Sequence, residues 1–240
     1  IGSTAVCLNA TFPTITLSGQ GGSGNYMFTY NINGGANQTL NSTAGQATIL
    51  VPTGTAGSFT YNLVSVEDPS NALCRTDVNS SATVMVNPLP TAVLTANGPT
   101  TFCQNGSVLL TATAGVGYTY LWYRNGVVIP SQTSSSFTAT TTGLYTVSVI
   151  TSNACSKLSN SIQVTVNPLP IASVSPSNTY FCAGGTTTIT AVVSPNVTYQ
   201  WTLNNVNIPG ATQSSLIVNQ IGVYNVKVTD AVGCLNTSNN

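Results

Sequence analysis

Two stretches of the sequence are copies of each other, and this repeat constrains the fold more than any other feature. When residues 101–160 are laid over residues 180–239 without a gap, about 22 of the 60 positions are identical. Most of the identical positions hold large residues, turn-forming residues or cysteines. They include Phe102/Phe181, Cys103/Cys182, Trp122/Trp201, Gly143/Gly222, Tyr145/Tyr224 and Cys155/Cys234. Residues of these types determine a packed core, so we expect each repeat to be one small domain.

The pentapeptide VNPLP occurs twice, at 86–90 and at 166–170. Its two prolines fix φ and favour extended backbone in the residues before them, so each predicts a short, semi-rigid linker. These linkers divide the chain into three domains, at 1–86, 87–166 and 167–240.

The two outer domains are expected to be incomplete. The last strand predicted in the second domain, 162–166, has its counterpart in the third domain just past Asn240, and the first domain lacks most of the strand predicted at 93–96. We therefore expect the array of domains to continue in both directions.

Alternation of apolar and polar residues in runs rich in Val, Ile, Thr, Tyr and Phe predicts an all-β fold. Asn125-Gly126 is typical of a two-residue hairpin turn, because both residues accept positive φ. In the second domain the pattern predicts strands at 93–96, 108–113, 119–124, 127–129, 135–139, 144–150 and 162–166.

About seven short strands in 80 residues, with a tryptophan on the third strand and a tyrosine at the start of the sixth, indicate an immunoglobulin-like β-sandwich. Trp122 and Tyr145 in the second domain, and Trp201 and Tyr224 in the third, are predicted core residues. The fold class predicted is thus three tandem immunoglobulin-like sandwiches joined by short proline-containing linkers.

Six cysteines fall two to a domain and predict one disulfide in each: Cys7 with Cys74, Cys103 with Cys155, and Cys182 with Cys234. The chain has no histidine and no C-x-x-C spacing, so disulfides are a better use of these cysteines than zinc. We expect each bridge to join the start of the second strand to the loop after the sixth strand, at one end of the sandwich. In the chain-entropy model such a bridge stabilises a domain by about 4 kcal/mol, and it places the protein in an oxidising compartment.

Only 3% of the residues are charged, with a net charge of zero. A basic surface that could neutralise phosphates is therefore missing, which argues against nucleic acid and anionic lipid as partners. Polar residues interrupt every hydrophobic run before 18 residues, so membrane insertion is not expected.

The VNPLP linkers, the FCxxG motif of 102–106 and the GxYxVxV strand of 143–149 resemble the tandem immunoglobulin-like repeats of very large surface proteins in gliding bacteria of the Bacteroidetes type. The first domain, with YNINGG at 30–35 and FTYNLVSV at 59–66, is similar to a repeat frequent in their gliding-motility adhesins. The resemblance implies export by the type IX secretion system, a place on the cell surface, and a mechanical or adhesive role. The partners that it implies are the neighbouring repeats, surface polysaccharide, or a secretion or motility machine on the outer membrane.

Catalytic chemistry is not predicted, because the absence of histidine removes the usual proton shuttle near pH 7. Glu67 and Asp68 are interpreted as residues of a solvated loop, with a weak calcium site formed together with Asp77 as the alternative. No cofactor is predicted. Core packing is the favoured role of both tryptophans over sugar stacking, and Tyr26, Tyr123 and Tyr180 are the better adhesive candidates.

The leading functional hypothesis is a non-enzymatic stalk that projects a binding region and carries tension. This hypothesis depends on one cross-link inside every domain, so free thiols or links between neighbouring domains would count against it. Two alternatives stay open. The domains could be carbohydrate-binding or surface-binding modules attached to a secreted hydrolase, or the third domain could accept a strand from another chain and so form a filament.

Overall fold

The computed structural model describes residues 3–21, 24–70, 74–176 and 179–238, and every regular element in these ranges is a β-strand. The strands form three sandwiches, each with its own hydrophobic core, which we call modules 1, 2 and 3 in chain order. Across the described ranges no helix has the length and apolar character needed to span a membrane.

Module 1 packs a five-stranded sheet, in the order β1-β7-β6-β3-β4, against the pair β2-β5. Strand β1 runs parallel to β7, which places Cys7 beside Asn87. Side chains on alternate positions, among them Phe28 and Val84, are fully buried between the sheets. The strands are β1 (Thr4–Cys7), β2 (Thr14–Ser18), β3 (Met27–Ile32), β4 (Gln38–Asn41), β5 (Gln46–Leu50), β6 (Gly57–Glu67) and β7 (Arg75–Asn87).

Module 2 packs a sheet in the order β13-β10-β8 against a sheet in the order β12-β11-β14-β16-β9, to which β15 adds by pairing with β14. Strand β9 runs parallel to β16, so Cys103 lies beside Asn167. The strands are β8 (Leu94–Ala96), β9 (Thr101–Cys103), β10 (Val108–Ala112), β11 (Thr119–Arg124), β12 (Val127–Val128), β13 (Ser136–Ala139), β14 (Gly143–Ile150), β15 (Ser156–Leu158) and β16 (Ile162–Asn167).

Module 3 repeats this plan with the sheets β17-β18-β21 and β20-β19-β22-β23. Its core is smaller, and Trp201, Val226 and Val228 are its fully buried centre. The strands are β17 (Ala172–Ser175), β18 (Thr187–Val193), β19 (Thr198–Leu203), β20 (Val206–Asn207), β21 (Ser215–Val218), β22 (Tyr224–Thr229) and β23 (Leu235–Thr237).

The all-β, tandem immunoglobulin-like fold predicted from the sequence is confirmed. All seven strands predicted in the second domain are present in module 2, and each end agrees within one residue. The Asn125-Gly126 turn is also confirmed, with φ of 52° and 76°. Strands β9 and β15 were not predicted, and β9 proves decisive because it carries a cysteine.

The predicted pairing of cysteines within each domain is wrong. Both disulfides join neighbouring modules, since Cys7 is bonded to Cys155 and Cys103 to Cys234. The remaining two cysteines, Cys74 and Cys182, are exposed free thiols. The fold therefore has two bridges between modules in place of three bridges inside them.

The physical reason lies in the direction of the strands. Cys103 ends β9 at the level of Asn167, near the start of β14, whereas Cys155 follows the end of β14. The eight residues of β14 separate these two ends, which is roughly 25 Å at the rise of a strand. A disulfide requires Cα atoms within about 7 Å, so a bridge inside the module cannot form, and the expectation that both cysteines share one end is wrong.

Candidate functional site

The feature that sets these modules apart from isolated sandwiches is the junction between consecutive modules. At each junction the cysteine that ends the strand next to the outgoing linker is bonded to a cysteine of the following module, in the loop between β14 and β15 or between β22 and β23. We call the first the strand-end cysteine and the second the loop cysteine. Each junction is therefore crossed by two covalent connections, the linker and the disulfide.

The first junction contains the Cys7–Cys155 bond, with a Cα–Cα distance of 5.5 Å. The backbone N–H of Leu8 donates to the carbonyl of Asn87 at 2.8 Å, which holds the strand-end cysteine against the start of the linker. Asn153 of module 2 donates through Nδ2 to Oδ1 of Asn87 at 3.0 Å. This bond adds a polar contact between the modules beside the disulfide.

The second junction repeats this arrangement with Cys103–Cys234, again with a Cα–Cα distance of 5.5 Å. The N–H of Gln104 donates to the carbonyl of Asn167 at 2.8 Å, which matches the bond of Leu8 at the first junction. Pro170 at the end of the linker is buried, as is Pro90 at the same place in the first linker. Because the same contacts occur twice, the junction is a property of the repeat.

Both loop cysteines are fully buried, whereas both free cysteines are exposed. The bridges span 148 and 131 residues of sequence. Loops of this length correspond to about 5 kcal/mol each in the chain-entropy model. The two loops overlap, so their effects are coupled and do not simply add.

The four predicted core residues lie at equivalent places in modules 2 and 3. Trp122 and Trp201 are fully buried and donate through Nε1 to the carbonyls of Ser134 and Gln213, both at 2.9 Å. Tyr145 is buried, and its hydroxyl donates to the carbonyl of Thr141 at 2.9 Å. Tyr224 is half-buried and donates in the same way to Gln220 at 3.0 Å. The hydrogen bonds of the two tyrosine hydroxyls are those of the tyrosine corner of immunoglobulin-like sandwiches.

The three tyrosines proposed as adhesive candidates differ in exposure. Tyr26 is only 7% exposed and packs beside Phe28 in the core of module 1, so its interpretation as an exposed aromatic is wrong. Tyr123 is half-buried on β11. Tyr180 is 94% exposed, and the structure does not bring it near the other two, which belong to other modules.

The acidic residues of module 1 are engaged by neighbouring side chains. Arg75 lies 3.5 Å from Glu67 and 3.2 Å from Asp77. Asp68 accepts hydrogen bonds through Oδ1 from the N–H and the hydroxyl of Ser70. In the described part of the chain no group of three or more His, Cys, Asp or Glu is placed to hold a metal ion. Residues 71–73 of the loop predicted after Glu67 lie outside the described residues.

Module 3 has a groove where module 2 has a strand. In module 2 the strand β16 lies between β14 and β9, and its Val164 is fully buried. Among the described residues of module 3 no strand takes this place. A cavity of about 330 Å³ lies there, and its lining includes Tyr180, Phe181, Ile221 and Tyr224.

Fold and junction together define the class: three immunoglobulin-like sandwiches in tandem, linked covalently from one module to the next. Residues 90–168, which are module 2 with parts of its linkers, match the family described as "Ig-like domain CHU_C associated". No curated protein matches the sequence.

Several solved tandem-immunoglobulin structures are similar to the chain. The I-band fragment I67–I69 of titin is 14% identical, with a TM-score of 0.49, and the match covers 99% of this chain and 94% of that one. The ectodomain of mouse nectin-like molecule 4, Ig1 to Ig3, is 13% identical with a TM-score of 0.44, covering 99% and 95%. Murine CEACAM1b is 17% identical with a TM-score of 0.33, covering 68% and 95%. At these values the solved structures say nothing of what this chain binds, and its fold rests on its own strand pairing.

Proposed function

We propose that the chain is a load-bearing spacer of an extracellular surface protein, in which each junction is reinforced by a disulfide. The observation that carries the proposal is the pair of bridges Cys7–Cys155 and Cys103–Cys234, one at each junction. Disulfides belong to oxidising compartments such as the cell surface. The role is mechanical, and no enzymatic step is part of it.

A junction with two covalent connections resists bending and twisting better than a linker alone. Tandem domains joined only by a short linker move relative to each other by default, because their contact areas are small. Here the disulfide attaches the following module at a second point, and the proline at the end of the linker is buried. The stalk predicted from the sequence depends on a bridge inside every domain, and the structure contradicts that basis. The spacer proposed here depends instead on the bridges between the modules.

The nearly uncharged surface fits a spacer better than a binding domain for charged ligands. The chain has four basic and four acidic residues, so long-range attraction to a charged partner is weak. The family match of module 2, together with the resemblance to repeats of gliding-motility adhesins, supports a place in a large surface adhesin. In that setting the spacer would project a binding region during adhesion or gliding.

The stiffness of the junction can be measured with the protein's own thiols. Cys74 and Cys182 are exposed and lie in modules 1 and 3, so they accept gold nanocrystal labels, and X-ray scattering interferometry then measures the distribution of label-to-label distances across all three modules in the oxidised protein. We expect a narrow distance distribution. The double variant Cys7→Ser/Cys155→Ser removes the first bridge without leaving a new thiol, and we expect it to broaden the distribution.

Circular dichroism of the variant provides the control, because the modules should stay folded when the bridge is lost. A distribution equally broad in the native protein and the folded variant would contradict a stiff spacer.

A further inference from the structure

The two free cysteines have the same local structure as the bonded ones. Cys182 corresponds to the strand-end cysteines Cys7 and Cys103. In all three cases the backbone N–H of the third following residue donates to the cysteine carbonyl, at 3.0 Å after Cys7, 2.9 Å after Cys103 and 2.8 Å after Cys182. The second following residue has positive φ each time, with 62° at Asn9, 74° at Asn105 and 81° at Gly184. Cys182 therefore takes the place of a strand-end cysteine in module 3, although the described residues just before it form no strand.

Cys74 corresponds in the same way to the loop cysteines Cys155 and Cys234. Each of these three carbonyls accepts the hydrogen bond that closes its hairpin. The donors are the N–H of Asp68 at 3.0 Å for Cys74, of Thr151 at 2.9 Å for Cys155 and of Asp230 at 3.1 Å for Cys234. Cys74 is therefore a third loop cysteine.

Both bonds in the molecule follow one rule, since a strand-end cysteine is bonded to the loop cysteine of the next module. The unbonded pair contains one cysteine of each kind, at opposite outer modules. Cys74 lies before β7, at the end of module 1 away from module 2. Cys182 directly follows Tyr180 and Phe181, which line the cavity near the start of β22, so it lies at the end of module 3 away from module 2. The two thiols of one molecule therefore face outward in opposite directions and do not meet.

We propose that Cys182 and Cys74 are the two open halves of the same inter-module bond: Cys182 bonds the loop cysteine of another immunoglobulin-like module, and Cys74 bonds the strand-end cysteine of another. A second copy of this chain carries both kinds of cysteine and serves as the partner in the test, where the head-to-tail contact extends into a linear series. The bond reproduces the junction already seen twice in this chain. The bond goes beyond the spacer proposed above, because it does not depend on the stiffness of the internal junctions.

The chemistry requires an oxidant that accepts two electrons, and a small disulfide such as oxidised glutathione is sufficient. The Cys182 thiolate attacks one sulfur of oxidised glutathione, which forms a mixed disulfide and releases one glutathione thiol. The Cys74 thiolate of the next copy then attacks the Cys182 sulfur and releases the second glutathione thiol. Two protein thiols and one oxidised glutathione thus become one protein disulfide and two reduced glutathiones.

The test oxidises the purified chain with oxidised glutathione under native conditions and separates the products on a non-reducing gel. The native protein should form a ladder of dimers, trimers and larger species that dithiothreitol abolishes. Cys74→Ser and Cys182→Ser should each stop the ladder. When the two variants are mixed in equal amounts, most of the dimers should be heterodimers. Random pairing of the thiols would make only half of all dimers heterodimers.

Tryptic peptides locate the bond, because cleavage after Arg75, Arg124, Lys157 and Lys227 puts Cys182 in peptide 158–227 and both Cys7 and Cys74 in peptide 1–75. Since Cys7 is bonded to Cys155, the linked product also carries peptide 125–157. Finding peptides 1–75 and 158–227 linked between differently isotope-labelled copies supports the proposal. A heterodimer at the random level, homodimers of either variant as abundant as the heterodimer, or the absence of covalent species from the native protein would overturn it.

Discussion

Stretching the chain from its two ends until it is fully unfolded reveals which cysteines are bonded, because every disulfide shortens the covalent path. In this structure the shortest path runs from Ile1 to Cys7, crosses to Cys155, returns along the chain to Cys103, crosses to Cys234 and ends at Asn240. That path contains about 64 residue steps and spans about 230 Å at roughly 3.5 Å per residue. The reduced chain should reach about 840 Å by the same rise per residue.

Two single substitutions make the measurement specific. Cys74→Ser leaves both bridges intact, so the final extension should stay at about 230 Å. Cys7→Ser removes one bridge and should lengthen the path to about 108 residues, or about 380 Å. If the bridges instead lay within the modules, Cys74→Ser would lengthen the path to about 135 residues, or about 480 Å.

The assay is single-molecule force spectroscopy of the oxidised protein, repeated with dithiothreitol as the control for the full length. The native protein alone does not discriminate, because bridges inside the modules would give nearly the same extension. An extension of Cys74→Ser that rises to the level expected for bridges within modules would refute the assignment of the disulfides to the junctions.

Three further predictions concern the cores. Trp122→Ala should lower the free energy of unfolding of module 2 by about 3–5 kcal/mol, because it empties a fully buried site. Urea unfolding followed by circular dichroism measures this loss, and a loss below about 1 kcal/mol would contradict the central packing role. Tyr145→Phe should cost about 1 kcal/mol in the same assay, because the hydroxyl no longer donates to the Thr141 carbonyl, and an unchanged midpoint would argue against the corner bond. Burial raises the pKa of Tyr61 above its ordinary value of 10.0, which means that the folded state favours the neutral phenol. The stability that this residue contributes is therefore complete below pH 10 and is lost as the pH rises through the raised pKa. Tyr61→Phe should therefore flatten the decline of module 1 stability in alkaline solution, and an identical pH profile would contradict this.

The strands could be predicted closely because each signal was local. Alternation of apolar and polar residues fixed the faces of strands such as β10, in which Val108, Leu110 and Ala112 are buried. Asn125-Gly126 marked a hairpin because its two residues accept positive φ. These patterns depend on neighbours a few residues apart, so one sequence was enough to find them.

The disulfide pairing could not be predicted in the same way, because it depends on which end of a sandwich each cysteine occupies. Six cysteines allow 15 pairings. Because the cysteines recur at equivalent positions of the repeat, a bridge within each module and a bridge to the next module fit the sequence spacing equally well. The missing element was β9, whose parallel alignment with β16 brings Cys103 to the outgoing linker. A three-residue strand with no clear alternation gives little sequence signal.

The exposed aromatic residues show a similar limit. Tyr26 follows a glycine-rich stretch and looked like a loop residue, yet it is buried beside Phe28. The signal that could have identified it was the two-residue spacing of Tyr26 and Phe28, which places both on one face of the chain as it enters β3.

Peptide mapping of the oxidised protein tests the junction disulfides most directly. The chain has four trypsin sites, after Arg75, Arg124, Lys157 and Lys227, and the resulting peptides separate the possible pairings by mass. After free thiols are blocked with N-ethylmaleimide, the structure predicts peptide 1–75 linked to 125–157 and peptide 76–124 linked to 228–240, with the blocking group on Cys74 and Cys182. Peptide 76–124 linked to 125–157, together with 158–227 linked to 228–240, would instead place the bridges inside the modules and contradict the covalent junctions.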